Sequence, residues 1–428
     1  MAFHEPACFH TEANLIGRCG SFTPTEFSAF ADRGSFMRVA IVHDWLATFT
    51  GAERVLEQLL IIYPHAELFT LVDHLPPHDR GFLQKTKIHT SWLQRAPLSR
   101  RHFRSYLPLM PFLIEQFDLS VFDLVLSSSW AFAKGALIGA HQTHVSYVHT
   151  PIRYASQLQH QYLDQANLRR GLRSLYVRHV LHKIRQWDAN NSNSADRLVA
   201  NSRYIARRIM KTYRREAQVI YPPVDVSRFS PRADKEDFYL AASRLVPYKR
   251  FDLVVDAFNA TPHRRLVIIG DGPERSKLES RAQPNIKFLG HVPDKQLADA
   301  MSAAKAFILA GLEDFGIIVA EAQASGTPVI CYRMGGASEI IETGDEREPT
   351  GVLFSEQSRD SLLDGLDRFE RIRSDISPHA CRVNAERFAP DRFRREFSDV
   401  VDRALSGDAL ARVTNVPADA VSVKARAL

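Results

Sequence analysis

The chain has 428 residues, of which 45% are hydrophobic and 24% are charged. This balance excludes a chain that is disordered throughout, and the length predicts two domains of roughly 150 to 200 residues each. The formal net charge is +6, which suits nucleic acid, an anionic membrane and a phosphorylated small molecule equally well. Charge alone therefore does not select the partner.

The cysteines and the apolar runs restrict the class of protein further. Cys8, Cys19, Cys331 and Cys381 show no C-x-x-C spacing, so we expect reduced thiols and no structural zinc. No apolar run approaches the roughly 18 residues of a spanning helix, and the N-terminus lacks a signal-peptide pattern. The sequence predicts a cytoplasmic protein, and a peripheral position at the inner face of the cell membrane stays open.

The first domain begins near Met37. Residues 1–36 have no hydrophobic periodicity, whereas residues 37–44 are typical of a buried strand, so we interpret 1–36 as a tail and Met37 as a candidate natural start. Beyond it, short apolar runs alternate with helical patterns, which indicates a parallel sheet covered on both faces. Strands are predicted over 39–42, 68–72, 124–127, 144–148 and 198–200, and a helix over 52–63.

A second alternating series follows residues 221–225, where two adjacent prolines indicate a linker. The predicted fold is α/β, with two doubly wound Rossmann-like domains facing across a cleft. Ligands of such sheets bind beyond the carboxyl ends of the strands, so the cleft is the expected site. Strands are predicted over 238–241, 265–269, 286–289, 306–309 and 328–331. The predicted segments of the chain are 37–216, 217–388 and 389–428. The last segment is expected to form a helix that packs back on the first domain, followed by a tail.

A basic stretch covers residues 169–187, where arginines, lysine and histidines alternate with leucines, valine and isoleucine. A basic amphipathic helix can lie on an anionic membrane. An ordinary solvated face above a core stripe explains the same pattern. Both interpretations stay open.

The most informative pattern lies in residues 311–330, where Glu313 and Glu321 stand eight positions apart. A strand is predicted to end near Leu309, and a helix is predicted over 317–325 before a glycine ends it. Glu313 then lies in the loop before the helix, and Glu321 lies within the helix.

The start of that helix is a candidate phosphate site. The backbone amides of Phe315, Gly316 and Ile317 are among the unpaired donors of a helix start, and such amides bind phosphate. Glu313 in front of them can accept hydrogen bonds from sugar hydroxyls beside the phosphate. An acidic residue favoured by the helix dipole is the plain structural alternative.

Two further segments carry candidate phosphate ligands. Arg244 and Lys249 follow a predicted strand and can neutralise a diphosphate through charge-assisted hydrogen bonds without a metal. Gly51 starts a helix after the first strand and forms a second candidate phosphate turn. That second signal is weak by itself, because glycines between a strand and a helix are common.

These motifs, in this order, resemble those of retaining GT-B glycosyltransferases of family 4, and the resemblance covers residues 37–403. The segments 43–46, 51–56 and 148–154 look most like bacterial mannosyltransferases that build O-antigen or exopolysaccharide. The motifs are Glu-x7-Glu at 313–321, Ser-Arg-Leu-x-x-x-Lys at 243–249, Ile-Gly-Asp-Gly-Pro-Glu at 269–274 and Phe-Leu-Gly-His-Val-Pro at 288–293.

The resemblance implies a role for each matching residue of the second domain. Arg244 and Lys249 would hold the diphosphate of a nucleotide-sugar donor. Glu313 and the amides of 315–317 would hold the transferred sugar, with Glu313 as a catalytic residue. Glu321 would bind the ribose hydroxyls.

Three more positions follow from the same resemblance. Val292, within the stretch 289–293, would face the base of the donor. Gly51 would let its loop approach the diphosphate, although the family's glycine-rich loop is reduced here to Gly51 after Thr50. His149 would be a second catalytic residue near the reacting sugar, whereas a lone histidine without this context is more often structural.

The implied reaction moves a hexose, with mannose from GDP-mannose as the favoured donor, to a glycan or lipid-linked acceptor without a metal. Residues 37–216 would form the acceptor side, and 217–388 would bind the nucleotide sugar. A sugar-nucleotide epimerase is the alternative. An oxidoreductase is disfavoured because no G-x-G-x-x-G follows a leading strand, and a nucleic-acid binder because the basic residues are spread without a binding motif.

Overall fold

The computed structural model describes residues 37–344 and 347–407. The predicted N-terminal tail, with Cys8 and Cys19, and the C-terminal residues from 408 onward lie outside this range. Two parallel β-sheets with helices on their faces account for most of the described chain. The predicted α/β fold with two Rossmann-like sheets is therefore confirmed.

The first sheet has seven parallel strands in the order β3-β2-β1-β4-β5-β6-β7. Its central strands are buried along almost their whole length, because helices and loops cover both faces, and β4 and β5 bury serines and a histidine as well as apolar residues. The strands are β1 Val39–His43, β2 Glu67–Thr70, β3 Ile88–Thr90, β4 Leu124–Ser129, β5 Thr143–Val148, β6 Arg197–Ala200 and β7 Gln218–Val219.

The second sheet has six parallel strands in the order β10-β9-β8-β11-β12-β13. In both sheets the strand order reverses next to the first strand, between β1 and β4 and between β8 and β11. Such a switch point leaves a crevice in which ligands bind. The strands are β8 Tyr239–Ala242, β9 Leu266–Ile269, β10 Ile286–Gly290, β11 Ala306–Leu309, β12 Val329–Tyr332 and β13 Gly351–Phe354.

Helices connect the strands and cover the sheets, and the described part of the chain has none that is long and apolar enough to cross a bilayer. In the first half they are α1 Gly51–Ile62, α2 Ser99–His102, α3 Met110–Glu115, α4 Gln159–Gln165, α5 Leu172–Asn191 and α6 Arg203–Tyr213. In the second half they are α7 Phe251–Asn259, α8 Arg275–Glu279, α9 Asp294–Ala303, α10 Ile317–Ala324, α11 Arg359–Ile372, α12 Pro378–Glu386 and α13 Pro390–Leu405.

The boundary between the sheets lies slightly later than the predicted residue 216, because β7 pairs with β6 in the first sheet. The last helix, α13, returns to that sheet. Its Phe393 ring lies 5.7 Å from the Tyr147 ring of β5, and Arg394 donates a hydrogen bond to Gln58 of α1. The chain therefore crosses between the two sheets twice.

His144 is fully buried in β5, and its Nε2 lies 2.8 Å from the Ser127 hydroxyl of β4. Burial lowers the pKa of His144 to about 4, although Asp196 opposes the shift. An unfolded chain, in which the histidine pKa is about 6.5, therefore binds a proton between these pH values that the folded chain does not. The stability contributed by neutral His144 is complete above pH 6.5 and falls as the pH drops towards 4.

We predict that His144→Gln reduces the stability lost between pH 7 and pH 5 by about 2 kcal/mol, since one histidine contributes about 1.4 kcal/mol per pH unit below its unfolded pKa. Denaturant unfolding at the two pH values measures this difference. His78→Gln is the matched control, because the His78 side chain is 80% exposed. An unchanged pH dependence in His144→Gln would contradict the assignment.

Candidate active site

The loops that follow the switch-point strands of both sheets come together within one compact unit. In the first sheet, Asp44 after β1 accepts hydrogen bonds from the four backbone amides of residues 130–133 after β4, at 2.5 to 2.9 Å. This buried carboxylate joins the two loops and fixes the path of the chain ahead of α1.

The start of α1 faces the start of α10. A Cβ atom added to Gly51 would lie 2.6 Å from Cδ1 of Ile317, so glycine permits this close approach. The Thr50 backbone amide donates to Glu53 at 2.8 Å in a capping box. Two helix starts with unpaired backbone amides thus lie on opposite sides of one narrow gap, which is an arrangement that attracts anions.

The start of α10, the candidate phosphate turn, is shaped by Gly316 and Phe315. Gly316 adopts a left-handed conformation with φ of 87°, and a Cβ atom there would lie 2.8 Å from the Cβ of Ala337. The Phe315 side chain is buried against the rings of Tyr221 and Phe388. This packing fixes the loop, so only the backbone of Phe315 is available to a ligand.

Lys249 and Glu313 form an ion pair between the loops that follow β8 and β11. Each side chain is 15% exposed. The Glu313 carbonyl also accepts a hydrogen bond of 2.8 Å from the Gly336 amide, which holds the acidic loop in place. The structure therefore brings together the predicted phosphate cation and the predicted sugar-binding carboxylate.

Arg244 lies at the exposed edge of the same loop and donates to the Tyr248 hydroxyl at 3.2 Å. Arg104 of the first domain is its electrostatic neighbour. Burial and the charge of Arg244 both lower the pKa of Arg104. Two cations therefore meet at this end of the gap, and sequence analysis identified only Arg244.

Glu321 makes an ion pair across the gap. Its Oε1 lies 3.0 Å from Nη2 of Arg54, one turn into α1. Burial raises the pKa of Glu321, and the Arg54 charge opposes the rise. Sequence analysis missed Arg54, although it lies in the segment 51–56 that carried part of the resemblance.

His149 lies at the end of β5 with its Nε2 2.9 Å from the Ser128 hydroxyl. Its carbonyl accepts a hydrogen bond of 2.9 Å from Asn201. Burial lowers the pKa of His149 to about 3, and the neighbouring His43 contributes to the shift. The imidazole is therefore neutral at physiological pH, so it can share a hydrogen bond but cannot neutralise a phosphate.

Val292 follows β10, and its side chain is buried in the hydrophobic core of the second domain. Its side chain therefore stabilises the fold. Contact with a base would have to come from the backbone of the stretch 289–293.

Asp314 connects the acidic loop to the first domain. Its carboxylate contacts Arg153 and lies 3.2 Å from Nη1 of Arg208, and its carbonyl accepts a hydrogen bond of 2.6 Å from Ser202. Both arginines were missed in the sequence. Arg153 lies within the motif 148–154, whereas nothing in the sequence around Arg208 signals its partner.

Within residues 37–344 and 347–407, no three His, Cys, Asp or Glu side chains are placed to share one metal ion.

Comparison with known proteins identifies two adjoining family models. Residues 41–228 match the model described as Glycosyltransferase Family 4. Residues 225–388 match the model described as Glycosyl transferases group 1. The matches meet at the linker between the two sheets, so each model corresponds to one of them.

Two curated relatives are similar over parts of their length. A GDP-mannose-dependent alpha-mannosyltransferase of Mycobacterium tuberculosis is 37% identical over 28% of this chain and 34% of the relative. A D-inositol 3-phosphate glycosyltransferase of Mycobacteroides abscessus is 25% identical over 57% of this chain and 58% of the relative. The chain thus spans less than two thirds of the length of either relative.

The structure of Anabaena Alr3699/HepE in complex with UDP is similar in fold, with a TM-score of 0.61 and 18% identity over 86% of this chain and all of that one. The two family models together span residues 41–388, and the two sheets have the arrangement of GT-B proteins. The chain therefore has the GT-B fold, with a first half that matches family 4 glycosyltransferases and a second half that matches group 1 glycosyl transferases.

Proposed function

We propose that this chain transfers a hexose from a nucleoside diphosphate sugar to an acceptor hydroxyl, with retention of the anomeric configuration. The facing starts of α1 and α10 are the observation that carries the proposal. They present unpaired amides to one gap, beside Lys249 and within reach of the loop of Glu313. A diphosphate with a sugar attached matches this order of donors and acceptors.

The diphosphate, the sugar and the ribose of the donor would each bind different residues. The diphosphate would lie between the helix starts, with Lys249 and Arg244 as its cations. The sugar hydroxyls would bind Glu313 and the amides of 315–317. The ribose would bind Glu321, which donor binding would draw away from Arg54 or share with it.

Front-face attack is the favoured mechanism. Glu313 is paired with Lys249 and so is occupied as a binding group rather than free as a nucleophile. His149 is neutral and would orient the sugar through a hydrogen bond. The departing diphosphate, stabilised by Lys249, Arg244 and the helix amides, would accept the proton of the acceptor hydroxyl. Catalysis would then rest on positioning and on charge stabilisation.

Mannose from GDP-mannose is the favoured donor. The support is the resemblance of the segments 43–46, 51–56 and 148–154 to bacterial mannosyltransferases and the similarity to a mannosyltransferase named for GDP-mannose. The proposed acceptor is a glycan or a lipid-linked oligosaccharide in the synthesis of cell-surface polysaccharide, at the cytoplasmic face of the membrane. An epimerase would use the same donor site but would need no acceptor, so incubation of donor alone separates the two reactions.

We predict that Lys249→Ala and Glu313→Ala each lower the rate of sugar transfer about a hundredfold, the usual scale for loss of one well-placed charge-stabilising contact. Initial rates at saturating donor measure the effect. Lys277→Ala is the matched control, since its ammonium group is exposed on α8 and pairs only with Glu274 among the described residues. Near-normal transfer by either site variant, with the melting temperature unchanged, would refute the assigned site.

We predict that GDP and GDP-mannose raise the melting temperature more than the corresponding UDP, ADP and dTDP ligands. A ligand at 100 times its Kd stabilises the folded state by about 2.7 kcal/mol, which a thermal-shift panel detects. A response to UDP ligands alone would overturn the GDP preference and leave hexosyl transfer standing. No response to any nucleotide would count against the donor site itself.

A further inference from the structure

An exposed apolar surface lies on the first domain between β3 and β4. Four large apolar side chains project from it: Trp92 is 57% exposed, Leu98 72%, Leu109 46% and Phe112 58%. Scattered single apolar residues are normal on a protein surface, whereas a cluster of this kind marks an interaction site. We call it the 92–112 surface.

The exposed side chains of the 92–112 surface lie close to one another. Trp92, Leu109 and Phe112 line one groove of about 560 Å³. The Tyr106 ring lies 6.4 Å from the Trp92 ring, and its hydroxyl donates to the carbonyl of Pro97 at 2.9 Å. Tyr106 therefore holds the turn that carries Leu98 beside the groove.

The 92–112 surface is basic as well as apolar. Residues 81–114 contain no aspartate or glutamate but six lysines and arginines. Arg95, Arg100 and Arg101 form no ion pair with any residue that the structure describes. Their charge is therefore uncompensated and available to an anionic partner. The six cations are Lys85, Lys87, Arg95, Arg100, Arg101 and Arg104.

The 92–112 surface borders the mouth of the candidate active site. Arg104 lies over the Phe103 ring at 4.7 Å and over the Trp45 ring at 5.9 Å, and Trp45 is in the loop that follows β1. The positive charge of Arg244 also acts on Arg104 and lowers its pKa. A molecule held at the 92–112 surface is therefore presented to the gap between the two domains.

We propose that the 92–112 surface docks on an anionic lipid bilayer. Tryptophan is favoured at the boundary between headgroups and acyl chains, and arginines around it attract anionic headgroups. A second copy of the chain is not expected to bind here, because a two-fold contact through this surface would place the unpaired arginines of the two copies close together, and they would repel each other. The proposal rests on the proposed function only in expecting the acceptor at the membrane.

The basic helix α5 is the competing membrane surface. Its first turns expose Leu172, Leu175 and Tyr176, while Leu181 and Ile184 further along face the core. This second half is an ordinary core stripe, as one interpretation of the sequence predicted. The exposed first turns are held to the segment before the helix, where the Ser174 hydroxyl donates to the Leu168 carbonyl at 2.7 Å, whereas Arg104 links the 92–112 surface directly to Trp45 in the loop after β1.

Flotation of the full-length chain with phosphatidylcholine vesicles, with and without phosphatidylglycerol, tests the proposal. We expect binding that requires phosphatidylglycerol and weakens with salt. Trp92→Ser/Phe112→Ser should reduce binding at least tenfold, and Arg100→Gln/Arg101→Gln about fivefold for each arginine removed. Leu172→Ser/Tyr176→Ser, which removes two exposed apolar side chains from α5, is the matched control and should bind within twofold of the unmodified chain.

Three outcomes would overturn the proposal. The first is unchanged vesicle binding by Trp92→Ser/Phe112→Ser, and the second is loss of binding only in the α5 control. The third is a change in solution mass of the Trp92→Ser/Phe112→Ser variant, which would show an interface between copies. The nucleotide thermal shift of all variants reports the donor site independently, so failure of the proposed function would appear there and not in flotation.

Discussion

Two positive helix ends face one another across the gap between the domains, and this arrangement is unfavourable unless something negative lies nearby. Each helix start carries a partial positive charge and several unpaired amides. Gly51 lets the start of α1 approach the Ile317 side chain at the start of α10. The full charges nearby are paired, Lys249 with Glu313 and Arg54 with Glu321, and Glu53 in the first turn of α1 offsets part of the charge of that helix end. An anion between the helices would relieve the repulsion that remains between the two ends, which is the reason for proposing a diphosphate there.

Two adjacent carboxylates of the acidic loop form ion pairs with different domains. Glu313 pairs with Lys249 within the second domain, whereas the carboxylate of Asp314 is held by Arg153 and Arg208 of the first. Further along the chain, after β12, Glu339 accepts hydrogen bonds from the two backbone amides that start α6, at 2.8 and 2.7 Å. The loop that would hold the sugar is therefore positioned from both sides of the gap, and any opening of the domains would disturb Glu313 through its neighbour.

The sequence predicts those elements whose signal is local. Ten strands were predicted from apolar runs, and all ten are present, with ends that differ by no more than two residues. β3 and β7 were missed because a three-residue and a two-residue edge strand need no apolar run. β13 was missed although three of its four residues are buried, since its run of apolar residues is too short to stand out. Arg54, Arg153 and Arg208 could not be predicted, because each has its partner in the other domain, more than 100 residues away along the chain.

The neutrality of His149 follows mainly from its burial at the end of β5. Protonating a buried imidazole costs free energy, and the neighbouring His43 adds to that cost while Glu53 opposes it. A neutral His149 can exchange one hydrogen bond with a neutral sugar hydroxyl, whereas the proposed cations for the diphosphate, Lys249 and Arg244, belong to a loop of the other domain. Charge and hydrogen bonding would thus come from opposite sides of the gap, and a diphosphate and a sugar could bind there side by side.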